Sequence, residues 1–394
     1  MCMRCRSLLA LALIFQTSVF AAQKDGAAPS SPADARIAAA RNRVLTNAKS
    51  WQPYNDLAAA LCRKDRDTED VALYDQADAA LQRSLELSPG NYEARKLQVV
   101  TLLGRHQFDQ ALKLASELNH KVPDDIAGWG LLVDTNVALG NYAEAEHDAQ
   151  VILDLRPGSA LGFVKAAGLR ELFGDPEGAI EFYREANRRV SQNDADEHAW
   201  LFTQIARLEL ASGNPKHAED ALAQASKLFP ESQQALAVLA KLRTAQGNNA
   251  EAAALLEKRY RTVGSPQNLY DWAESLERAG QKEAAAAAFR DFERKACAQS
   301  GKPYNANRQL VFFYTDHSHE GSKALPLASE EIKARHDSAT LDAYAWALYA
   351  NGRYSEAKLQ MDRALAVGVR DPVYLYHAAQ IAAKVNQVAQ ERAR

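Results

Sequence analysis

Hydrophobic and polar positions follow the spacing of amphipathic helices along most of the chain. In residues 126–157, apolar side chains recur at Ile126, Trp129, Leu132, Val133 and Val137, a spacing that places them on one face of a helix. Gly140 then ends this helix, because glycine adopts the left-handed cap conformation without strain. A second helix follows and stops before Pro157, since proline cannot continue a helix. The stretch therefore predicts a hairpin of two helices.

Capping residues indicate where the second helix begins. Asn141 is expected to cap it, with Glu144 three residues later completing a capping box, and Asn248 with Glu251 repeats this pairing. In other copies, a proline falls just inside the second helix, where its missing N–H costs little. These prolines are Pro176 and Pro215.

The hairpin recurs along the chain in one register. An alanine of the second helix stands at Ala77, Ala111, Ala145, Ala179, Ala218, Ala252, Ala285, Ala324 and Ala357. The steps between these alanines are 33 or 34 residues, except for steps of 39 that end at Ala218 and Ala324. Such a period fits two helices with their turns. One hairpin cannot bury its apolar face alone, so the stacked copies are expected to form the core.

These residues resemble the tetratricopeptide repeat (TPR) family. The motif is matched at Trp129 and Leu132 in the first helix (helix A) and at Ala145 and Pro157 in and after the second (helix B). Three motif positions depart from the family pattern, at Val133, Asn136 and Ala149, whereas Tyr183 and Phe289 keep the helix B aromatic in other copies.

The resemblance implies an all-α fold, a right-handed α-solenoid of stacked TPR hairpins. It covers residues 53–394, with about nine repeats plus a truncated last one. The copies at residues 53–88 and 305–337 match least well, and the two longer steps imply insertions of about five residues.

The same resemblance implies a non-enzymatic scaffold whose A helices line a concave groove for a partner protein or peptide. By family register, the groove positions are Lys96, Asp134, Trp200, Arg207, Lys241, Tyr270, Glu274, Trp346 and Tyr349. Aromatic and arginine side chains are typical interface anchors. The alternative is that the aromatic residues only pack between repeats and the charged ones are only solvated. A carboxylate clamp of the kind found in some TPR domains is not supported, because Val100 stands where the family has asparagine.

Composition and charge exclude some partners. The chain has 394 residues, is 47% hydrophobic and 25% charged, and carries a net charge of −3. A nucleic-acid partner is not expected, because it requires a basic face. The same balance argues against the similar pentatricopeptide repeats, which bind RNA.

The N-terminus has the pattern of a signal peptide at residues 1–21. Arg4 and Arg6 precede the apolar stretch SLLALALIF, and the small residue Ala21 precedes the expected cleavage point. The apolar stretch is short for a transmembrane helix, although an uncleaved anchor is the alternative. The mature chain is thus expected to be exported, to the periplasm or the medium, without stable membrane insertion. Residues 22–52 are expected to be a flexible linker and lead-in.

Two cysteines, Cys62 and Cys297, remain after the signal peptide. They lie many repeats apart, beyond the reach of a disulfide in a linear stack. Both are expected to be buried free thiols, with a cross-link between two chains as the alternative.

One cluster has possible metal chemistry. Residues 314–322, YTDHSHEGS, contain Asp316, His317, His319 and Glu320, which are side-chain types that bind divalent metals. The segment falls at the turn between two helices, where polar residues are usual, so we predict a solvated turn, no metal and no cofactor. Without a catalytic motif, the alternatives to an adaptor are a part of an envelope assembly, such as polysaccharide export or outer-membrane biogenesis, and a metal-binding protein or enzyme centred on residues 316–320.

Overall fold

The computed structural model describes residues 31–302 and 304–392, and their regular structure is helical, with twenty α-helices and one π-helical turn. Nine hairpins begin with the A helices α2 (Gln52–Thr68), α4 (Tyr92–Gly104), α6 (Ile126–Leu139), α8 (Ala160–Leu172), α10 (Ala195–Ala211), α12 (Gln233–Ala245), α14 (Pro266–Arg278), α16 (Asn307–Phe312) and α18 (Ser338–Ala350). Their B helices are α3 (Ala72–Leu87), α5 (Phe108–Lys121), α7 (Tyr142–Leu155), α9 (Pro176–Arg189), α11 (Pro215–Leu228), α13 (Asn249–Thr262), α15 (Lys282–Cys297), α17 (Gly321–Ala334) and α19 (Tyr354–Leu365). The helix α1 (Pro32–Thr46) precedes the hairpins and α20 (Pro372–Arg392) follows them.

The hairpins stack as an α-solenoid, as the alanine register predicts. Each helix packs on the next, and consecutive A helices also touch. All nine alanines of the register are buried, with at most 3% of their surface exposed. A larger side chain at these positions would overpack the contact between the two helices of a hairpin.

The helix ends agree with part of the predicted capping. Gly140 adopts φ +83° at the end of α6, and prolines open α9 and α11. The predicted capping boxes at Asn141 and Asn248 are wrong, because neither side chain caps its helix. The Asn141 amide instead donates to Asn136 Oδ1 in the preceding helix. Side-chain caps occur mainly on A helices, as where Ser159 Oγ accepts from the Gly162 N–H.

Residues 32–46 are not the flexible linker that composition predicts. They form α1, capped by Ser31, and the helix buries Ile37, Ala40 and Val44 in the cluster that includes residues of α2. The apolar spacing of seven residues across these three positions outweighs the Ala and Pro content of the segment. The predicted signal peptide and the first part of the predicted linker, residues 22–30, lie outside the described residues.

The two cysteines differ in exposure. Cys62 is buried, and burial raises the pKa of its thiol to about 12, so it stays protonated. Cys297 is exposed, which corrects the prediction of a second buried thiol, because it is the last residue of α15 and lies where the helix ends. Both are free thiols.

Successive turns of the solenoid touch each other. Repeat 1 contacts repeats 5 and 6, and the turns of repeats 3 and 4 meet repeat 9. A Cβ at Gly140 would lie 2.8 Å from the His336 carbonyl oxygen, and one at Gly174 would lie 2.2 Å from that of Gly368. The two glycines thus permit the left-handed backbone conformation at these loops. They also permit the close approach of repeat 9, which belongs to the next turn of the solenoid.

The two longer repeats differ from the rest in their A helices. The helix α10 begins 23 residues before Ala218, whereas α12 and α14 begin 19 residues before Ala252 and Ala285. The first insertion therefore adds one turn at the N-terminus of α10. The second lengthens the loop before α16, and there a π-helical turn, Phe313–His317, follows α16. No helix of the described residues is long and apolar enough to span a bilayer.

Candidate functional site

The nine predicted groove residues lie on A helices but do not form one site. They divide into a set of ion pairs between neighbouring repeats, a contact between two turns of the solenoid and a cluster near the C-terminus. Lys241 on α12 belongs to none of these and is exposed.

Three of the predicted residues form ion pairs that join consecutive A helices. Lys96 Nζ lies 2.8 Å from an oxygen of Asp125, the cap of α6. Asp134 on α6 pairs with a lysine of α8, and both Arg207 Nη atoms on α10 donate to Glu171 on α8, at 2.5 and 2.6 Å. These side chains form ion pairs within the solenoid, so their charges stabilise the stacking of neighbouring repeats.

Trp200 on α10 lies beneath a contact between two turns. Arg66 of α2 is placed 5.0 Å from the centre of the Trp200 ring. Beside it, acidic residues of the extra turn of α10 bind arginines of α1 and α2. We call this contact the clasp; it joins Arg36, Arg63 and Arg66 to Asp194, Asp196 and Glu197.

The clasp is well bonded at its centre. Asp196 Oδ2 accepts from Arg36 Nη1 at 2.6 Å and from Arg63 Nε at 2.5 Å. Burial alone would raise the pKa of Asp196, but the hydrogen bond from Arg36 and the charge of Arg63 outweigh it and lower the pKa to about 2. A cavity of about 170 Å³ lies beside the clasp, lined in part by Trp200 and Ser232.

Four predicted residues meet near the C-terminus around the π-helical turn. On the α14 side, His317 Nδ1 lies 3.1 Å from Glu277 Oε2, and Nε2 lies 3.5 Å from Glu274 Oε1. The Tyr270 hydroxyl donates to Glu274 and lies 3.4 Å from His317 Nε2. On the α18 side, the Trp346 Nε1–H donates to Asp316 at 2.6 Å.

Charge and burial compete at this histidine. Burial lowers the pKa of His317, but the hydrogen bond to Glu274 and the neighbouring carboxylates outweigh it, so the pKa is raised above 6.5. Burial likewise raises the pKa of Glu274, but the hydrogen bond to His317 and the charge of Arg278 give it a pKa below 4.5. The pair is therefore ionised at mildly acidic pH.

Aromatic rings extend the cluster across α18 and α20. The rings of Trp346 and Tyr349 stack with centroids 4.7 Å apart, and Tyr376 lies 6.2 Å from Trp346. Trp346 is buried, Tyr349 is half-buried and Tyr376 is 57% exposed. We call this site the acid–aromatic surface; it consists of Glu274, Glu277, Asp316, His317, Trp346, Tyr349 and Tyr376.

Four members of the acid–aromatic surface were not among the predicted groove residues. Glu277 follows Glu274 by three residues on the same helix, and helical spacing alone indicates their common face. Tyr376 lies on α20, which takes the place of an A helix in the truncated last repeat. Asp316 and His317 drew attention as metal ligands, and the π-helical turn directs them towards α18 and α14. Such turns occur frequently at functional sites.

The four side chains weighed as metal ligands in the alternative interpretation do not converge. Asp316 and His317 face opposite neighbouring helices, the His319 ring contacts the Thr315 carbonyl oxygen, and Glu320 pairs with Lys323. Within the described ranges, no group of three His, Cys, Asp or Glu residues is placed to hold a metal ion. The segment lies between the two helices of repeat 8, as predicted.

Comparisons with known proteins agree with this architecture. Residues 73–135 and residues 203–267 match two family models, both described as tetratricopeptide repeat. The fold is similar to a chain of the APC/C hetero-tetramer Cut9-Hcn1, with a TM-score of 0.51 and 13% identity over 83% of this chain and 55% of that one. It is also similar to the human IFIT1 dimer with PPP-AAAA, with a TM-score of 0.50 and 14% identity over 85% of this chain and 95% of that one.

At such identities these likenesses concern the fold alone, and the chain spans about half the length of the Cut9-Hcn1 chain. No curated protein sequence matches the chain significantly.

Proposed function

The chain is a tetratricopeptide-repeat protein, and we propose that it acts as an exported, non-enzymatic scaffold that binds a partner protein through the acid–aromatic surface. Repeats of this family imply a scaffold for protein–protein interaction, because stacked hairpins present an extended surface. The proposal adds the place of binding and the compartment.

The convergence of Tyr270, Glu274, Trp346 and Tyr349 around one π-helical turn is the observation that carries the proposal. Consecutive residues of this turn bind the Trp346 indole, through Asp316, and the two carboxylates of α14, through His317, and part of each group is open to solvent. The Glu277 side chain is 54% exposed, and Tyr376 is exposed to a similar degree. Aromatic side chains in partly dry surroundings are the usual anchors of protein interfaces.

The other predicted groove residues support this choice by contrast. Lys96, Asp134 and Arg207 are bonded to neighbouring helices, and Trp200 is covered by Arg66. A partner would have to break these contacts before it could bind there, whereas Glu277 and Asp316 remain exposed beside their partners His317 and Trp346.

Crosslinking in the native cell tests the proposal. The tagged chain is crosslinked and purified, and bound proteins are identified from wild type and from the Glu277→Lys and Tyr349→Ala variants. We expect a dominant partner that is lost from both variants. Glu144→Lys on α7 and Tyr304→Ala in a loop make the same chemical changes elsewhere, and both should retain the partner.

A partner that all four variants retain would contradict the acid–aromatic surface as the binding site. Recovery of the chain alone from wild-type cells would contradict the scaffold itself. Folding of each variant is checked by thermal melting, so that loss of the partner is not mistaken for loss of the fold.

Export is the second part of the proposal and rests on the signal-like pattern of residues 1–21. Fractionation of the host cell, with sequencing of the mature N-terminus, tests it. We expect the chain outside the cytoplasm with its N-terminus at residue 22 or 23. A full-length chain in the cytoplasm would contradict export and leave the binding surface untouched.

A further inference from the structure

The clasp reveals what an acidic surface with an aromatic ring binds in this protein. At the start of α10, the carboxylates of Asp194, Asp196 and Glu197 bind arginines, and the Trp200 ring lies under one of these arginines, Arg66. Arginines of the first hairpin occupy this place: Arg63 donates to Asp194 and Asp196, and Arg66 both pairs with Glu197 and covers the indole ring. The occupant is therefore an arginine-bearing segment that arrives from a distant part of the sequence.

The acid–aromatic surface has the same composition without such an occupant. Asp316 accepts from the Trp346 indole, which stacks on Tyr349, and Glu274 and Glu277 flank the next residue of the π-helical turn, His317. Among residues 31–302 and 304–392, the only lysine or arginine paired with these carboxylates is Arg278, which belongs to the same helix and lies 3.5 Å from Glu274. No segment of another repeat brings a guanidinium group to the surface within these ranges.

Charge favours a cationic occupant. Three carboxylates face one arginine, Arg278 of the same helix, and one histidine, so the acidic groups are in excess. At pH values above that at which His317 loses its proton, the excess of negative charge increases further. An acidic or nucleic-acid partner would meet like charge, which is costly at an interface.

Arginine fits these groups better than lysine. Its planar guanidinium donates two parallel hydrogen bonds to a carboxylate and also stacks on an aromatic face. The exposed ring of Tyr376 and the half-exposed ring of Tyr349 both lie against Trp346, whose indole N–H donates to Asp316. A lysine ammonium is a point charge and gains less from a planar arrangement.

We infer that the acid–aromatic surface binds an arginine-bearing segment of the partner protein. The inference rests on the proposed function, since it names the chemistry of the partner that the scaffold binds. It also assigns to the clasp the role of an internal counterpart, in which the protein's own arginines fill the equivalent surface of α10.

Binding of short peptides to the purified mature chain tests the inference. The probes are an unstructured arginine-bearing peptide, the same peptide with lysine, and the same peptide with citrulline, which keeps the shape of arginine but is neutral. We expect the citrulline peptide to bind about tenfold more weakly than the arginine peptide, because charge-assisted hydrogen bonds are lost. The lysine peptide should be weaker by about threefold, the size of a moderate cation–π contribution.

Matched variants locate the binding. Glu277→Gln and Tyr349→Ala should each weaken the arginine peptide by about threefold to tenfold, and Glu144→Gln should leave it unchanged. Equal affinity for all three peptides would overturn the inference. So would an arginine peptide that responds to Asp196→Asn but not to Glu277→Gln, because it would then occupy the clasp.

The crosslinking experiment distinguishes the proposed scaffold function from the proposed preference for arginine. A native partner lost on Glu277→Lys, together with peptides that show no preference for arginine, would leave the scaffold intact and refute only its specificity. A second copy of this chain is a further possible occupant. Self-association in sedimentation that is abolished by Glu277→Lys would assign the surface to a homodimer and overturn the inference.

Discussion

The clasp on α10 and the acid–aromatic surface are built from the same chemistry but differ in how they are filled. Each combines carboxylates with an aromatic ring, and each includes acidic residues of a repeat that is longer than its neighbours. In the first, the added turn of α10 reaches arginines of repeat 1. In the second, the carboxylates and rings remain partly open.

This difference shows how inserted residues change the contacts that a repeat makes. In regular hairpins, residues of one A helix bond the next A helix, as Lys96, Asp134 and Glu171 do. In the lengthened repeats, Asp196 on the added turn of α10 binds arginines of an earlier turn of the solenoid, whereas Asp316 accepts from Trp346 and stays exposed. An acidic side chain of a lengthened repeat therefore closes the solenoid only where another turn lies opposite. Four changes test this difference between the two sites, and their expected effects on the free energy of unfolding decrease in order.

Reversing a charge in the clasp should have the largest effect. Arg63→Glu places a carboxylate next to Asp194, Asp196 and Glu197, and one of these, Asp196, is only 7% exposed. We expect a loss of about 3 kcal/mol in the free energy of unfolding, as for a broken buried ion pair, and a larger radius of gyration in small-angle scattering. Arg188→Glu on the exposed side of α9 is the control. A variant as compact and as stable as wild type would show that the clasp does not hold the two turns together.

Acid should weaken the clasp through Asp196. Its pKa is 3.8 when unperturbed and about 2 in the fold, so the group stabilises the fold above about pH 4 and this stabilisation disappears as pH falls through about 2. The contribution at neutral pH is about 2 kcal/mol. We expect Asp196→Asn to be less stable than wild type at neutral pH and nearly equal to it at the acid end, measured by chemical denaturation. A difference that does not change with pH would be inconsistent with this account.

The histidine of the acid–aromatic surface should give a smaller effect with a different pH profile. The raised pKa of His317 means that its stabilisation is present below 6.5 and is lost as pH rises through the folded value. The lowered pKa of Glu274 means that its share is present above 4.5 and is lost as pH falls through the folded value. His317→Gln should therefore cost about 1 kcal/mol between these limits and less at alkaline pH, in thermal melts at a series of pH values. A cost that grows with pH would contradict the assigned pair.

Glu277→Gln should have the smallest effect on the fold. The carboxylate is exposed and its partner His317 keeps Glu274, so the free energy of unfolding should change by less than about 0.5 kcal/mol. Its effect on partner binding should be much larger than this. If the variant instead unfolds as readily as Arg63→Glu, the acid–aromatic surface is a structural contact like the clasp.

Sequence reasoning recovers the repeat unit because the signal is local. The alanine spacing records where two helices of a hairpin approach closely, and all nine positions are buried. Gly140 and the prolines of α9 and α11 lie at the helix ends where their backbone preferences predict them. Family register also predicts that Tyr270, Glu274, Trp346 and Tyr349 lie on A helices, and they lie on α14 and α18.

The contacts between successive turns of the solenoid leave no comparable pattern in the sequence. Arg36 and Asp194 are 158 residues apart, and neither the period nor the composition indicates that they meet. The same holds for Tyr142 and Ser338, whose hydroxyl groups lie 3.2 Å apart. The twist of a solenoid is a sum of small rotations between repeats, so its closure cannot be derived from one repeat. For this reason, the sequence does not indicate that arginines fill the clasp while the acid–aromatic surface stays open.

The close approach at Gly140 and Gly174 has a consequence for the evolution of the chain. Repeat arrays commonly gain and lose whole copies by recombination, because each copy touches only its neighbours. Here, deletion of one hairpin between repeat 1 and repeat 5 would place different residues opposite Arg63. Deletion of one between repeat 4 and repeat 9 would move Gly140 and Gly174 away from the segments of repeat 9 that they now approach. Copy number is thus part of the fold, and this array is expected to change by substitution at fixed length.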